Sequence, residues 1–159
     1  MNQNTVQKRI FIDKELCDGC LNCNIACMNA HREGAEDVYS LNLSSPLNET
    51  RNFIKKDAAG NYKPIFCRHC DKPECVATCM SGALQKDPET GLVLYNRDVC
   101  GACFMCVMNC PFGVPKPDRA TKSYVVKCDF CIGKADQSGP SCVAACPKKA
   151  ITVREVRRK

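Results

Sequence analysis

Short strand-like runs sit at four places in this chain. Two of them, "GALQK" (82–86) and "LVLYN" (92–96), flank the turn sequence "DPETG" and predict a β-hairpin. The other two lie near the ends, "KRIFIDKEL" (8–16) and "PKKAITVREV" (147–156). Residues 28–66 are polar, contain "SSPLNET" and "DAAGNYK", and predict a long loop with little core of its own. That insertion is expected to cover its neighbours from solvent, and secondarily to offer a docking surface. The stretch "PFGVPKPDRATKSY" has three prolines in seven residues, so 111–127 predicts an ordered, irregular connection. No apolar run approaches the length of a membrane span, so no direct membrane insertion is expected.

Composition changes the picture of the core. With 159 residues, 6% aromatics and no Trp, a conventional hydrophobic interior would be thin. Sixteen cysteines make up about a tenth of the chain, the level at which cysteine chemistry holds a small fold together. Disulfides need an exported chain, yet "MNQNTVQKRIFIDKEL" has neither an apolar h-region nor a small-residue cleavage site. A cytoplasmic location and thiols bound to metal are therefore expected. Export in the folded state by a signal-bearing partner is the alternative route.

The cysteines fall into four groups with none left over: Cys17, Cys20, Cys23, Cys27; Cys67, Cys70, Cys75, Cys79; Cys100, Cys103, Cys106, Cys110; and Cys128, Cys131, Cys142, Cys146. The first and third have the spacing CxxCxxCxxxC, in which three thiolates wrap one corner of a cubane and the fourth points to another cluster. The second and fourth lengthen the middle gap but keep the opening CxxC and closing CxxxC, so the added residues can bulge without moving ligands. Structural zinc also uses CxxC pairs, but it has no need of a third cysteine two residues on. Four [4Fe–4S] clusters are the expected cofactors.

Counting the metal alters the charge balance. The formal net charge is +6 with every Cys neutral; ionising sixteen thiols and adding four oxidised cores of charge +2 brings it to −2. Most of the excess Lys and Arg then neutralises clusters, and with no basic stripe interleaved with aromatics no nucleic-acid partner is expected. No phosphate loop, activated nucleophile or acid–base pair stands outside the cysteine groups, so the chain is not expected to be an enzyme itself.

Groups two and three, joined by the 82–96 hairpin, resemble the centre of a bacterial two-cluster ferredoxin, in which each motif gives its last cysteine to the neighbouring cluster. The resemblance implies one cluster on Cys67, Cys70, Cys75 and Cys110, and another on Cys100, Cys103, Cys106 and Cys79. Groups four and one carry the same strands in reverse order. If those strands pair, the resemblance implies Cys17, Cys20, Cys23 with Cys146, and Cys128, Cys131, Cys142 with Cys27. The expected fold is α+β, with two ferredoxin-like units around a small cluster-organised core. The inner unit is 67–110, and the outer one, circularly permuted, is built from 8–27 and 128–153. The rival tandem pairing, groups one with two and three with four, lacks a hairpin inside either pair.

Over most of residues 8–153 the chain further resembles the four-cluster electron-transfer subunits of the dimethyl-sulfoxide-reductase iron–sulfur type. The residues that carry this are "FIDKELCDGCLNCNIACMNAH", "PIFCRHCDKPECVATCMSGAL", "DVCGACFMCVMNCPFG" and "VVKCDFCIGK…GPSCVAACPKKAI". Relatives serve carbon monoxide dehydrogenase, formate dehydrogenase, hydrogenase and tungsten or molybdenum oxidoreductases. The resemblance implies a hetero-oligomer in which this chain carries electrons to or from a catalytic redox subunit. A freely diffusing polyferredoxin is the alternative, and a zinc-binding or regulatory module the third reading. One departure from the ferredoxin pattern is that Met28 and Met80 follow the fourth cysteine where Pro111 and Pro147 stand in the other groups.

A few other residues invite roles. Arg68 and His69 lie inside a cluster loop, where a donor to sulfur would raise a reduction potential; the plain alternative is an exposed loop pair. Lys127, before Cys128, could offset the charge of a reduced cluster. His31 is expected to pack or sit at the surface rather than ligate, and "REVRRK" to be a solvated end that could meet an acidic partner surface.

Overall fold

The two terminal strand-like runs pair with one another. In the computed structural model, which describes residues 6–32, 38–134 and 139–157, β1 (Val6–Ile12) runs antiparallel to the last strand, Ile151–Arg157, with Ile12 opposite Ile151 and Val6 opposite Arg157. Between them come α1 (Asn22–His31), β2 (Phe53–Lys56), β3 (Tyr62–Ile65), α2 (Glu74–Ala77), β4 (Leu84–Lys86), β5 (Val93–Tyr95), α3 (Met105–Asn109), β6 (Lys116–Pro117), β7 (Val125–Val126) and α4 (Ser141–Ala144), making the last strand β8. The strands form four two-stranded antiparallel sheets among the described residues, which makes this a small α+β fold.

The predicted central hairpin is β4–β5, with Leu84 opposite Tyr95 and Lys86 opposite Val93. Its turn is closed by Asp87, whose N–H donates to Leu92 O at 2.8 Å and whose carboxylate accepts from Thr90 N at 3.1 Å.

Two small cores result, each made of one pair of cysteine groups. Leu84 and Val93 of the hairpin pack with Cys106 and Val125, flanked by Cys75, Cys79 and Cys100. Ile10 of β1 and Ile151 of β8 pack with Cys23, Cys142 and Phe66, flanked by Cys146 and Phe130. Correspondingly α2 packs on α3, and α1 on α4. The two halves meet along a seam: a Cβ on Gly91, in the inner turn, would overlap the buried Gln7 side chain of β1, and Arg9 pairs with Asp71.

The 28–66 insertion is not merely a loop. Its first four residues finish α1, and 53–65 form the β2–β3 hairpin, with Phe53 opposite Ile65. Asp57 builds the turn by accepting from Ala59 N and Asn61 N, and Gly60 supplies the positive φ of +89°. The four-residue strands are too short to alternate clearly, which hid them in the sequence. This hairpin covers the first cysteine group: Tyr62 lies on Gly19, whose φ is +75° and where an added Cβ would overlap the ring. Gly19→Ala is therefore expected to cost about 2 kcal/mol or more, lowering the melting temperature of the loaded protein by roughly 4–8 °C. A variant that melts with the wild type would contradict this packing.

Glu49 fastens the insertion to the connection at 111–127. Its carboxylate accepts from Arg119 N at 2.6 Å and pairs with Lys116 at 2.9 Å. That connection contains the short β6–β7 pairing, with Asp118 N donating to Tyr124 O at 3.1 Å. The C-terminal "REVRRK" is likewise not a loose end over its described part, because Arg154–Arg157 continue β8, with Arg154 over the Phe11 ring at 5.0 Å; its last two residues lie outside the described residues. Among the described residues no helix is long and apolar enough to cross a membrane.

Candidate metal centres

The four CxxC loops curl in the same way. The residue before the second cysteine has a positive φ in each: Gly19 (+75°), His69 (+44°), Ala102 (+50°) and Phe130 (+62°). Only one is glycine, and holding the other three left-handed costs about 1–2 kcal/mol each. Repetition of a strained turn at equivalent places points to what it produces, a nest of N–H groups facing an anion. In groups one and three a second left-handed residue, Leu21 (+63°) and Phe104 (+56°), opens α1 and α3. That turn puts Cys23 and Cys106 in the first helical turn; Cys27 follows one turn on along the same face of α1, whereas Cys110 stands just past the end of α3 in extended backbone. In groups two and four the short helices α2 and α4 carry Cys75 and Cys142.

All sixteen thiols are free, and their mutual influences reveal who neighbours whom. Burial pushes Cys23 up to about 11, with further pushes from Cys20, Cys17 and Cys146. Cys106, also raised to about 11 by burial, feels Cys79, Cys100 and Cys103. Burial raises Cys70 and Cys75, and both feel Cys67 and Cys110. Cys142, driven to about 12 by burial, feels Cys27 and Cys131; Cys131 and Cys128, also raised by burial, feel Cys27 as well. Cys23 thus has Cys17, Cys20 and Cys146 within electrostatic reach, Cys106 has Cys79, Cys100 and Cys103, Cys70 and Cys75 have Cys67 and Cys110, and Cys27 acts on Cys128, Cys131 and Cys142.

Influences also cross between these groupings. Cys142 feels Cys23, Cys128 feels Cys67, and Cys75 feels Cys106. The two end sets each contain an exposed cysteine, Cys20 and Cys103, and the two middle sets contain none.

Sulfur receives N–H donors from outside its own loop. Cys27 Sγ accepts from Arg51 N at 3.2 Å, and Cys79 Sγ from Leu84 N at 3.4 Å. Burial would raise the Cys79 thiol, but N–H groups led by Leu84 bring it below its ordinary value. Arg51 belongs to the insertion, whose Asn52 also donates to Cys23 O at 3.3 Å. Sequence reasoning missed both, since nothing local ties 51–52 to a cysteine loop. It missed Lys86 as well, which donates to His69 O at 2.9 Å and Cys70 O at 2.7 Å.

Arg68 and His69 have different fates. Arg68 is exposed and lies over the Phe112 ring at 4.5 Å. His69 is 3% exposed, so the exposed-pair alternative fails for it. Its Nδ1 accepts from Val93 N at 2.9 Å, which leaves the ring hydrogen on Nε2. Nε2 is buried without a hydrogen-bond partner, and the ring meets Phe130, the equivalent residue of group four, edge-on at 5.7 Å. An orphaned donor between two cysteine loops fits a site whose remaining acceptors are cluster sulfides. His31 packs at the start of the insertion: its Nδ1 faces Cys27 O at 2.7 Å and its Nε2 faces Asp129 at 2.9 Å.

Comparison with known proteins adds a sequence-wide likeness. Residues 58–156 match the model of the 4Fe-4S dicluster domain family. The chain is 35% identical, over 98% of its length and 78% of the other, to the probable anaerobic dimethyl sulfoxide reductase chain YnfG of Escherichia coli K12. It is 33% identical, over the same shares, to the B subunit of anaerobic dimethyl sulfoxide reductase from the same strain. In fold it is similar to a subunit of the active site complex BamBC of benzoyl coenzyme A reductase, at a TM-score of 0.51 and 24% identity, covering 96% of this chain and 80% of that one.

Proposed function

Since the chain belongs to the 4Fe-4S dicluster domain family, we propose that it carries electrons through four [4Fe–4S] clusters to or from the catalytic subunit of a multi-subunit oxidoreductase. Bound there, the clusters would supply one-electron chemistry, each cycling by a single electron. The chain's own residues do the rest. Cys17, Cys20, Cys23 and Cys146 would hold the first cluster, and Cys27, Cys128, Cys131 and Cys142 the second. Cys67, Cys70, Cys75 and Cys110 would hold the third, and Cys79, Cys100, Cys103 and Cys106 the fourth. The fold would then be an inner ferredoxin-like unit at 67–110 with a circularly permuted outer unit from both chain ends, supported by the β1–β8 pairing and the two separate cores.

The observation that carries the functional reading is the run of influences from Cys23 to Cys142, from Cys128 to Cys67 and from Cys75 to Cys106, with Cys20 and Cys103 as the exposed cysteines. A line open at both ends suits entry at one and exit at the other. Apolar side chains stand exposed near each end, Leu16 and Leu21 beside Cys20, and Val99, Met105 and Met108 among Cys100, Cys103 and Cys106. Such surface near an exposed ligand is what a docked partner would cover. The anaerobic dimethyl sulfoxide reductase chains it resembles favour the catalytic subunit of a reductase as the partner.

The test is purification from the native source under anaerobic conditions. A large redox subunit is expected to accompany the chain through successive columns. A monomer reduced equally well by unrelated enzymes would favour the freely diffusing carrier and end the subunit reading.

A further inference from the structure

Lys127 is 3% exposed and sits on the seam between the two halves of the fold. Its Nζ donates to Cys128 O at 2.7 Å, in the loop of the fourth cysteine group, and to Val93 O at 2.8 Å, in the inner hairpin. Val93 N in turn donates to His69 Nδ1, inside the loop of the second group. The ammonium therefore ties the loop that opens at Cys128 to the loop that holds Cys67 and Cys70.

It takes part in none of the ion pairs among the described residues. The acid closest in sequence, Asp129, is engaged by His31 at 2.9 Å and faces Arg51 at 3.8 Å. A buried cation held by carbonyl dipoles alone costs several kcal/mol in lost hydration, and its field is weakly screened. Such a residue is explained when anions stand beside it. The ammonium lies against the Cys128 carbonyl and, through Val93, next to the His69 loop that carries Cys67 and Cys70, so its charge stands beside both loops.

Resting on the four-cluster reading, we infer that Lys127 is the shared counter-charge of the two middle clusters, held by Cys67, Cys70, Cys75 and Cys110 and by Cys27, Cys128, Cys131 and Cys142. It makes the crossing between the two halves the place where the first electron settles. Adding an electron makes a cluster one unit more negative, and a cation close to both favours that step at either one.

The experiment is a redox titration of the anaerobically loaded protein with dithionite as electron donor, followed by electron paramagnetic resonance, comparing wild type with Lys127→Gln and Lys127→Arg. The Gln variant is expected to make both middle clusters harder to reduce by at least tenfold in the reduction equilibrium, about 59 mV for one electron. The end clusters should hold their potentials, and Arg should restore the middle ones. Unchanged middle potentials, an equal shift of all four clusters, or an Arg variant behaving like the Gln variant would overturn the inference.

Should the Gln variant fail to load clusters, protein that keeps Lys127 supplies the answer. The first signal to appear on reduction is expected to be unaffected by Cys20→Ser and by Cys103→Ser, and a change with either would place the first electron at an end of the line and overturn the inference. Zinc, or iron without sulfide, in the wild type would sink the four-cluster reading itself. Four reducible clusters indifferent to Lys127 would sink this inference alone.

Discussion

Stripping the iron is expected to unfold this protein cooperatively. Of the sixteen buried apolar residues among those described, five are cysteines, namely Cys23, Cys27, Cys106, Cys131 and Cys142. Neither core would survive their loss, because Ile10, Phe66 and Ile151 on one side pack with Cys23 and Cys142, and Leu84, Val93 and Val125 on the other pack with Cys106, leaving few apolar side chains in either core. Burial pushes Cys23, Cys75 and Cys106 to about 11 and Cys142 to about 12, so without metal these thiols are neutral at pH 7. Neutral thiols satisfy neither the N–H nests nor the orphaned His69 Nε2. The strained left-handed turns then have nothing to hold them, and binding energy is folding energy, as in other small metal-organised domains. Treatment with a chelator under oxidising conditions should abolish the far-ultraviolet circular dichroism of the strands together with the cluster absorbance. Retention of secondary structure and a sharp thermal transition after complete iron loss would show a self-sufficient core and contradict this dependence on metal.

The second large effect is expected from Cys27→Ala. Cys27 lies on α1, four residues after Cys23, and is 5% exposed. It nevertheless acts on Cys128, Cys131 and Cys142, while the thiols that act on Cys23 are led by Cys20, Cys17 and Cys146. Removing it should therefore damage the cluster of the C-terminal group, which begins 101 positions away, before the one in its own loop. The spectroscopic signal lost in Cys27→Ala is expected to be the one lost in Cys131→Ala and retained in Cys20→Ala. Loss of the Cys20-dependent signal alone would refute the crossed ligation and return the chain to four local clusters.

What could be read from the sequence was what is local or strongly spaced. The CxxC and CxxxC intervals, the "DPETG" turn and the strands flanking the outer groups are short-range signals, and the hairpin and the β1–β8 pairing lie where they indicate. The hidden features depend on contacts between distant segments. The β2–β3 hairpin is held in place by covering Gly19 with Tyr62, 43 positions away, and no periodicity announces that. Burial of His69 and Lys127 follows from how the two halves close on each other, with Phe130 against one and Val93 against the other. The same applies to Arg51, whose N–H reaches Cys27 Sγ across 24 residues. The charged end of the chain reads as solvated because its partner strand begins at Val6, at the opposite end of the sequence.

The most direct test of the central claim is the iron and acid-labile sulfide content of the anaerobically purified protein. About sixteen irons per chain are expected, matched by an equal number of sulfides, four of each for every cubane. Zinc in place of iron, iron without sulfide, or about half that content in a fully loaded preparation would contradict a four-cluster chain.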